Sequence, residues 1–217
     1  MKKRMVKTLT LFGLIGALTV GGTAAYLTDF DQETNTFTVG KVDIDVEEPN
    51  WKPDDHDKIV PTEEMKKDPQ ITNNGKNDAF VYLEVSIPVR NVITANEDGT
   101  RNPEAETELF TFNKNSGWTL LSAKKVGANK VYTYNYSKIL KAGETTTPLF
   151  QTIKFANIIE GQLDEQSLDV GIRGYAIQAE NTGDKENSVD AQAKAAYNKY
   201  VNQNKGQNGE ALSGNIA

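Results

Sequence analysis

The segment Ala79–Val89 constrains this chain most. Val81, Leu83, Val85, Ile87 and Val89 recur at every second position, with Phe80, Tyr82, Glu84, Ser86 and Pro88 between them. Period two is the repeat of a β-strand, whose successive side chains point to opposite faces. Such a strand must find a sheet to complete its backbone hydrogen bonds. Pro88 has no amide donor, so its end lies at an edge or leaves the sheet. Asn73-Asn74-Gly75 just upstream is a turn signal, because Asn and Gly tolerate positive φ.

The same period runs through much of the chain. Val42, Ile44 and Val46 alternate with Asp43, Asp45 and Glu47, which predicts a strand with one buried and one wet acidic face. Phe37 and Val39 are also two apart, but the phase slips at Gly40-Lys41, a signal for a bulge or bend. Further strands are predicted in 109–112, 118–121, 131–136, 149–159 and 168–179. Many short strands separated by Asn, Gly and Pro predict an antiparallel β-sandwich. The proline-containing acidic stretch 47–68 reads as a loop, and 91–108 likewise, with a helical turn expected at 104–109. Alanines and tyrosines in 189–203 predict a helix that Asp190 caps. From Asn202 onward Gly, Asn, Gln and Ser dominate, and a disordered tail is expected.

The first 25 residues read as an export signal. Lys2, Lys3, Arg4 and Lys7 precede an apolar run from Leu9 to Val20, and small residues lead to a cut between Ala25 and Tyr26. That run is 12 residues, and a spanning helix needs about 20. Removing residues 1–25 takes out those four basic residues and no acid, so 24 against 30 becomes 20 against 30, a net charge of −10. No wall-sorting signal or apolar C-terminal anchor is recognised, so no permanent membrane anchor is expected. The acidic balance argues against nucleic acid as a partner.

Chemistry is sparse. With no Cys, the chain forms no disulfide and no thiolate metal site. No nucleophile elbow, P-loop, dinucleotide glycine fingerprint or paired-histidine zinc motif occurs. The only metal candidates, weak ones, are Asp54, Asp55, His56 and Asp57, which offer oxygen and imidazole ligands for Ca²⁺ or Zn²⁺. Adjacent carboxylates in a loop rarely converge unaided, so a solvated acidic loop is the preferred reading. No catalytic residue and no cofactor are assigned. The stripe Tyr132, Tyr134 and Tyr136 reads as a packed sheet face before it reads as a ligand platform. Asn135-Tyr136-Ser137 fits a glycosylation sequon by a short match.

The mature chain would begin with Tyr26–Gly40, rich in Thr and aromatics and free of Pro. Such a segment is able to extend and to supply backbone hydrogen bonds to the sheet edge of another subunit. The alternative is that it pairs within its own sheet or frays. The run Gly21-Gly22-Thr23-Ala24-Ala25-Tyr26-Leu27-Thr28-Asp29, followed by Asn35-Thr36-Phe37-Thr38-Val39-Gly40-Lys41-Val42-Asp43-Ile44, resembles the TasA/camelysin family. Glu48-Pro49-Asn50-Trp51, the segment 72–79 and Tyr175-Ala176-Ile177-Gln178 add to the resemblance, which spans roughly 10–180.

The resemblance implies a jelly-roll-like β-sandwich over 26–180, followed by a helix and flexible tail over 181–217. It also implies cleavage by a SipW-type signal peptidase and an extracellular or cell-surface role. The best-known members form biofilm-matrix fibres by donating the N-terminal strand. Here the donor would be 26–38, with Tyr26, Leu27, Phe30 and Phe37 as contact residues and the partner another copy of the chain. Two alternatives come with the family or the fold: a camelysin-type cell-surface metalloprotease, and a monomeric surface adhesin or accessory matrix protein.

Overall fold

The computed structural model describes residues 28–30, 42–52, 59–164, 166–207 and 209–216. In chain order the elements are β1 (Thr28–Phe30), β2 (Ile44–Glu47), β3 (Glu64–Lys66), β4 (Gln70–Asn73), β5 (Ala79–Val92), β6 (Ala105–Glu108), β7 (Phe110–Phe112), β8 (Trp118–Val126), β9 (Asn129–Tyr136), β10 (Thr152–Phe155), β11 (Gly171–Gln178) and α1 (Val189–Gln203). The main sheet runs β1-β11-β5-β9-β8, with β6 joined to the far end of β5. Two smaller sheets, β3-β10-β7 and β2-β4, complete an all-β fold in which neighbouring strands are antiparallel.

The alternating segment becomes β5, at the centre of the main sheet. Its even and odd residues are both buried. Val81, Leu83, Val85 and Ile87 join one core with Ile44, Ile71, Met65, Ile153 and Phe155 of the smaller sheets. Phe80 and Tyr82 join a second core with Tyr175 and Ile177 of β11 and Ala193, Ala196, Tyr197 and Tyr200 of α1. The Tyr82 hydroxyl donates to the Ala193 carbonyl at 2.7 Å, tying helix to sheet. An isolated 15-residue helix is marginal in water, so tertiary burial holds α1. Each large side chain fully buried there contributes about 1.5–3 kcal/mol.

Pro88 marks the point where β5 leaves the main sheet. β11 pairs as far as Ser86 and β9 as far as Pro88. Val89–Val92 then pair with β6. The expected helical turn at 104–109 is therefore a strand. The Val89 amide still reaches the Ala128 carbonyl at 2.8 Å, and beyond it the backbone of β5 has passed both neighbours and needs other partners.

Two further expectations are corrected near the C-terminus. Ser188, not Asp190, caps α1, accepting from the Ala191 amide at 3.2 Å. Asp190 instead accepts from Asn135 Nδ2 at 2.7 Å and Thr119 Oγ1 at 3.1 Å, fastening the helix start to β9 and β8. The tail expected to be disordered is packed where it is described: Ala211, Ser213 and Ile216 are buried. Asn198 holds Ile216 through both backbone groups, each at 3.1 Å. The stretch reads as polar because its partners are backbone atoms and a buried carboxylate supplied by distant strands.

The Tyr132/Tyr134/Tyr136 stripe lies on the core face, with Tyr134 and Tyr136 buried and Tyr132 packed against them. Trp118 is buried and donates to the Thr147 carbonyl at 2.9 Å. Trp51 packs beneath Lys67, whose Nζ sits 4.3 Å from the ring centroid. Lys67 also pairs with Glu48 at 2.8 Å, and Asp68 accepts from the Asn50 amide and side chain. The Glu48-Pro49-Asn50-Trp51 motif is thus a loop pinned to the start of β4. The phase slip at Gly40-Lys41 lies outside the described residues.

At Gly174 of β11 the β2 side chains lie against the main sheet. A Cβ there would run into Val46 Cγ2 and lie 3.3 Å from Ile44 Cδ1. Gly174→Ala should destabilise the fold by about 1–3 kcal/mol through overpacking, read as a lower urea midpoint at unchanged slope.

Candidate functional site

The candidate site is the outer edge of β11. On its inner side β11 pairs with β5 along its whole length, from Gly171↔Ser86 to Gln178↔Ala79. On its outer side, among the described residues, it pairs with β1: Thr28↔Ile177, Asp29↔Ala176 and Phe30↔Tyr175. Among the described residues no strand covers the outer edge of Gly171–Gly174.

The opposite edge of the main sheet, β8, is built differently. Its register shifts between Leu120 and Ser122, a bulge that breaks the ladder. Lys124 and Lys125 follow on the same strand; Lys124 donates to the Asn215 carbonyl and Lys125 pairs with Glu106. A bulge and lysines are how sheet edges avoid pairing with other chains. The β11 edge has neither device along Gly171, Ile172 and Gly174, and its one cation, Arg173, turns toward Tyr175 and the Glu210 carbonyl.

Behind this edge lies a buried carboxylate that sequence reading did not single out. Glu84 of β5 is 1% exposed. Its oxygens accept from Tyr175 Oη at 2.8 Å, Tyr197 Oη at 2.9 Å and Thr133 Oγ1 at 3.2 Å. They also accept from the Leu212 amide at 2.9 Å, and from the Ser213 amide and hydroxyl at 3.1 and 2.7 Å. One side chain thereby joins β5, β9, β11, α1 and the C-terminal segment. Its signal in the sequence was a lone acid alternating with Phe80 and Tyr82 on an otherwise apolar strand.

Burial, and next the Glu84 carboxylate, hold the Tyr175 and Tyr197 hydroxyls well above the usual tyrosine range. Burial first, then Glu108, pushes Tyr134 up to about 12. These phenols stay protonated at neutral pH, as donors to a carboxylate must. A folded-state pKa raised above the unfolded value gives stability that is complete below about 10 and is lost as pH rises through the folded values. Urea midpoints should accordingly be flat on the alkaline side up to about pH 9 and fall steeply above about pH 10, with tyrosinate absorbance appearing together with unfolding. Glu84→Leu should strand several buried donors, at about 1–3 kcal/mol for each left unpaired. It should also raise amide exchange at Leu212 and Ser213 before that of β5.

Of the residues singled out from the sequence, Phe30 is placed in β1 opposite Tyr175 by the backbone register. Ala25, Tyr26, Leu27 and Phe37 lie outside the described residues, as do Asp54, Asp55, His56 and Asp57. Among the described residues no three His, Cys, Asp or Glu side chains gather as metal ligands. Asn135 is fully buried and its amide donates to Asp190 and the Tyr136 carbonyl, so the sequon is closed to glycosylation in the folded chain. No helix among the described residues is long and apolar enough to cross a membrane.

Residues 1–106 match the family model described as camelysin metallo-endopeptidase. No match is found among curated proteins.

Proposed function

The chain belongs to the TasA/camelysin family through its residues 1–106, and from that premise we propose that it is an exported structural protein whose copies assemble by strand exchange. What supports this reading is the place of the N-terminal strand: β11 pairs with β5 on its inner side and takes Thr28–Phe30 on its outer side, at the end of the main sheet. When the same segment of another copy takes that edge, the hydrogen bonds lost in one chain are remade in the next. The contact is head-to-tail and does not close on itself, so it builds a filament. The segment is released as a free arm once the chain is cut between Ala25 and Tyr26, a role for a SipW-type signal peptidase. The place of action is the extracellular matrix or the cell surface.

Deleting 26–36 should leave a folded monomer with an unchanged circular dichroism spectrum and no filaments by electron microscopy. Filaments of normal yield from the deletion variant would exclude exchange of this strand.

The family description itself favours a second reading, a metal-dependent peptidase. His56 is the chain's sole histidine, so the two readings separate cleanly. On the structural reading the exported chain leaves casein intact with or without a chelator. Casein cleavage that a chelator and His56→Ala both abolish would establish the peptidase instead.

A further inference from the structure

We propose that Asn74-Gly75, just past the end of β4, is a self-modification site that the folded turn holds shut, and that its rearrangement frees β2 from β4.

The chemistry needs only the chain and water. Asn is followed by Gly here and at 208–209. With no side chain on residue 75, the Gly75 nitrogen is able to come close to the Asn74 carboxamide. Once that nitrogen gives up its proton, it attacks Asn74 Cγ. The new N–Cγ bond closes an imide ring, the Cγ–Nδ2 bond breaks, and the side-chain nitrogen leaves with the proton as ammonia. Water then opens the ring at either carbonyl. The product is an aspartate at position 74, or an isoaspartyl link in which the backbone runs through the side-chain carbons. A water is taken up, an ammonia is lost, and nothing is oxidised or reduced.

Both reacting groups are engaged in the folded turn. The Gly75 amide donates to Asn73 Oδ1 at 3.0 Å. A neutral acceptor on that N–H keeps in place the proton that the reaction must remove. Asn73 has little freedom to move aside, because it is fully buried. Its Nδ2 donates to the Asn77 and Leu140 carbonyls at 3.0 and 3.1 Å. Its backbone donates to the Glu144 carbonyl and accepts from the Gly143 amide. The Asn74 carboxamide is held as well, its Nδ2 donating to Asp45 Oδ2 at 2.6 Å. Rearrangement therefore waits for a local opening of the turn. Asn74 itself is exposed, so water reaches the ring once it forms.

Neither product fits the place that Asn74 occupies. An aspartate there sets a carboxylate against Asp45, where an amide donor had been. Asp43 and Glu47 lie two residues to either side of Asp45 on β2, so the added charge meets an acidic face, and facing like charges destabilise a strand pair. The isoaspartyl link puts an extra carbon between Asn74 Cα and the Gly75 nitrogen, which draws the Gly75 amide off Asn73. β2 is held to β4 by four opposed pairs, from Ile44↔Asn73 to Glu47↔Gln70. Beyond them the Asn74 amide donates to the Asp43 carbonyl at 2.8 Å. The damage thus falls on the end of that ladder. Because ammonia departs, the change runs one way.

The test ages the exported chain in mildly alkaline buffer, folded and in urea at the same pH. Peptide mapping by mass spectrometry reads position 74 apart from Asn208. Conversion at Asn74 should be about tenfold slower in the folded chain, since two hydrogen bonds must open first. Asp45→Ala, an exposed change, removes one of them and should speed the folded reaction about threefold. The converted chain, separated by ion exchange, should show amide exchange in β2 and β4 about tenfold faster than the parent, with β5 and β9 unchanged. Equal conversion rates in the folded and unfolded chain would overturn the lock. Parent-like exchange in β2 and β4 of the converted chain would overturn the release. Asn74→Gln, whose longer side chain closes the ring poorly, should age without loosening. If it loosens as much as the natural chain, the change does not arise at Asn74 and the proposal fails.

Discussion

β5 is hydrogen-bonded along both edges and buried on both faces, and each face needs its own cover. The two small sheets cover Val81, Leu83, Val85 and Ile87, while α1 covers Phe80 and Tyr82. The other layers follow from that burial. The β2-β4 pair must cross at Gly174, where a side chain would obstruct Val46. Beyond Pro88, β6 must satisfy the backbone that β9 and β11 no longer reach.

Glu84 is the polar counterpart of this burial. A carboxylate removed from water is costly unless its oxygens are saturated. Here three side-chain hydroxyls of the sheet and helix and three groups of the C-terminal segment saturate them. The C-terminal segment is held by that requirement more than by its own apolar content. The same network fixes Tyr175, the residue across from Phe30 on β1. At the far side of the sheet β8 is blunted by its bulge and lysines.

Much of the fold was legible. Period-two runs located β2, β5, β9 and β11, and the Asn73-Asn74-Gly75 turn and the helix from Val189 also stood out. Asn73 shows why the turn holds: its side chain accepts from the Gly75 amide and donates to the Asn77 and Leu140 carbonyls. β3 and β6 were hidden because each is a short strand of mostly polar residues, paired only because a neighbour's backbone lacked a partner. Ser188 outcompeted Asp190 as the cap because Asp190 was already engaged by Asn135 and Thr119. The packed tail was illegible for a related reason. Ser213 and Leu212 gain their meaning from an acid 128 or 129 positions away. For the candidate edge, the pairing of Thr28–Phe30 as a strand was in keeping with the segment's extended reading, but its partner in β11 was not readable.

By itself the sequence determined the local conformations: alternation makes strands, and Pro88 ends a pairing. It also limited the chemistry, through the absence of Cys and the single His. Only the tertiary structure decided which strand sits at the centre, which acid is buried and which strand Thr28–Phe30 lies beside. Those are properties of long-range pairing. Side-chain periodicity reports which way a residue points, and it carries no information about which distant backbone will lie beside it.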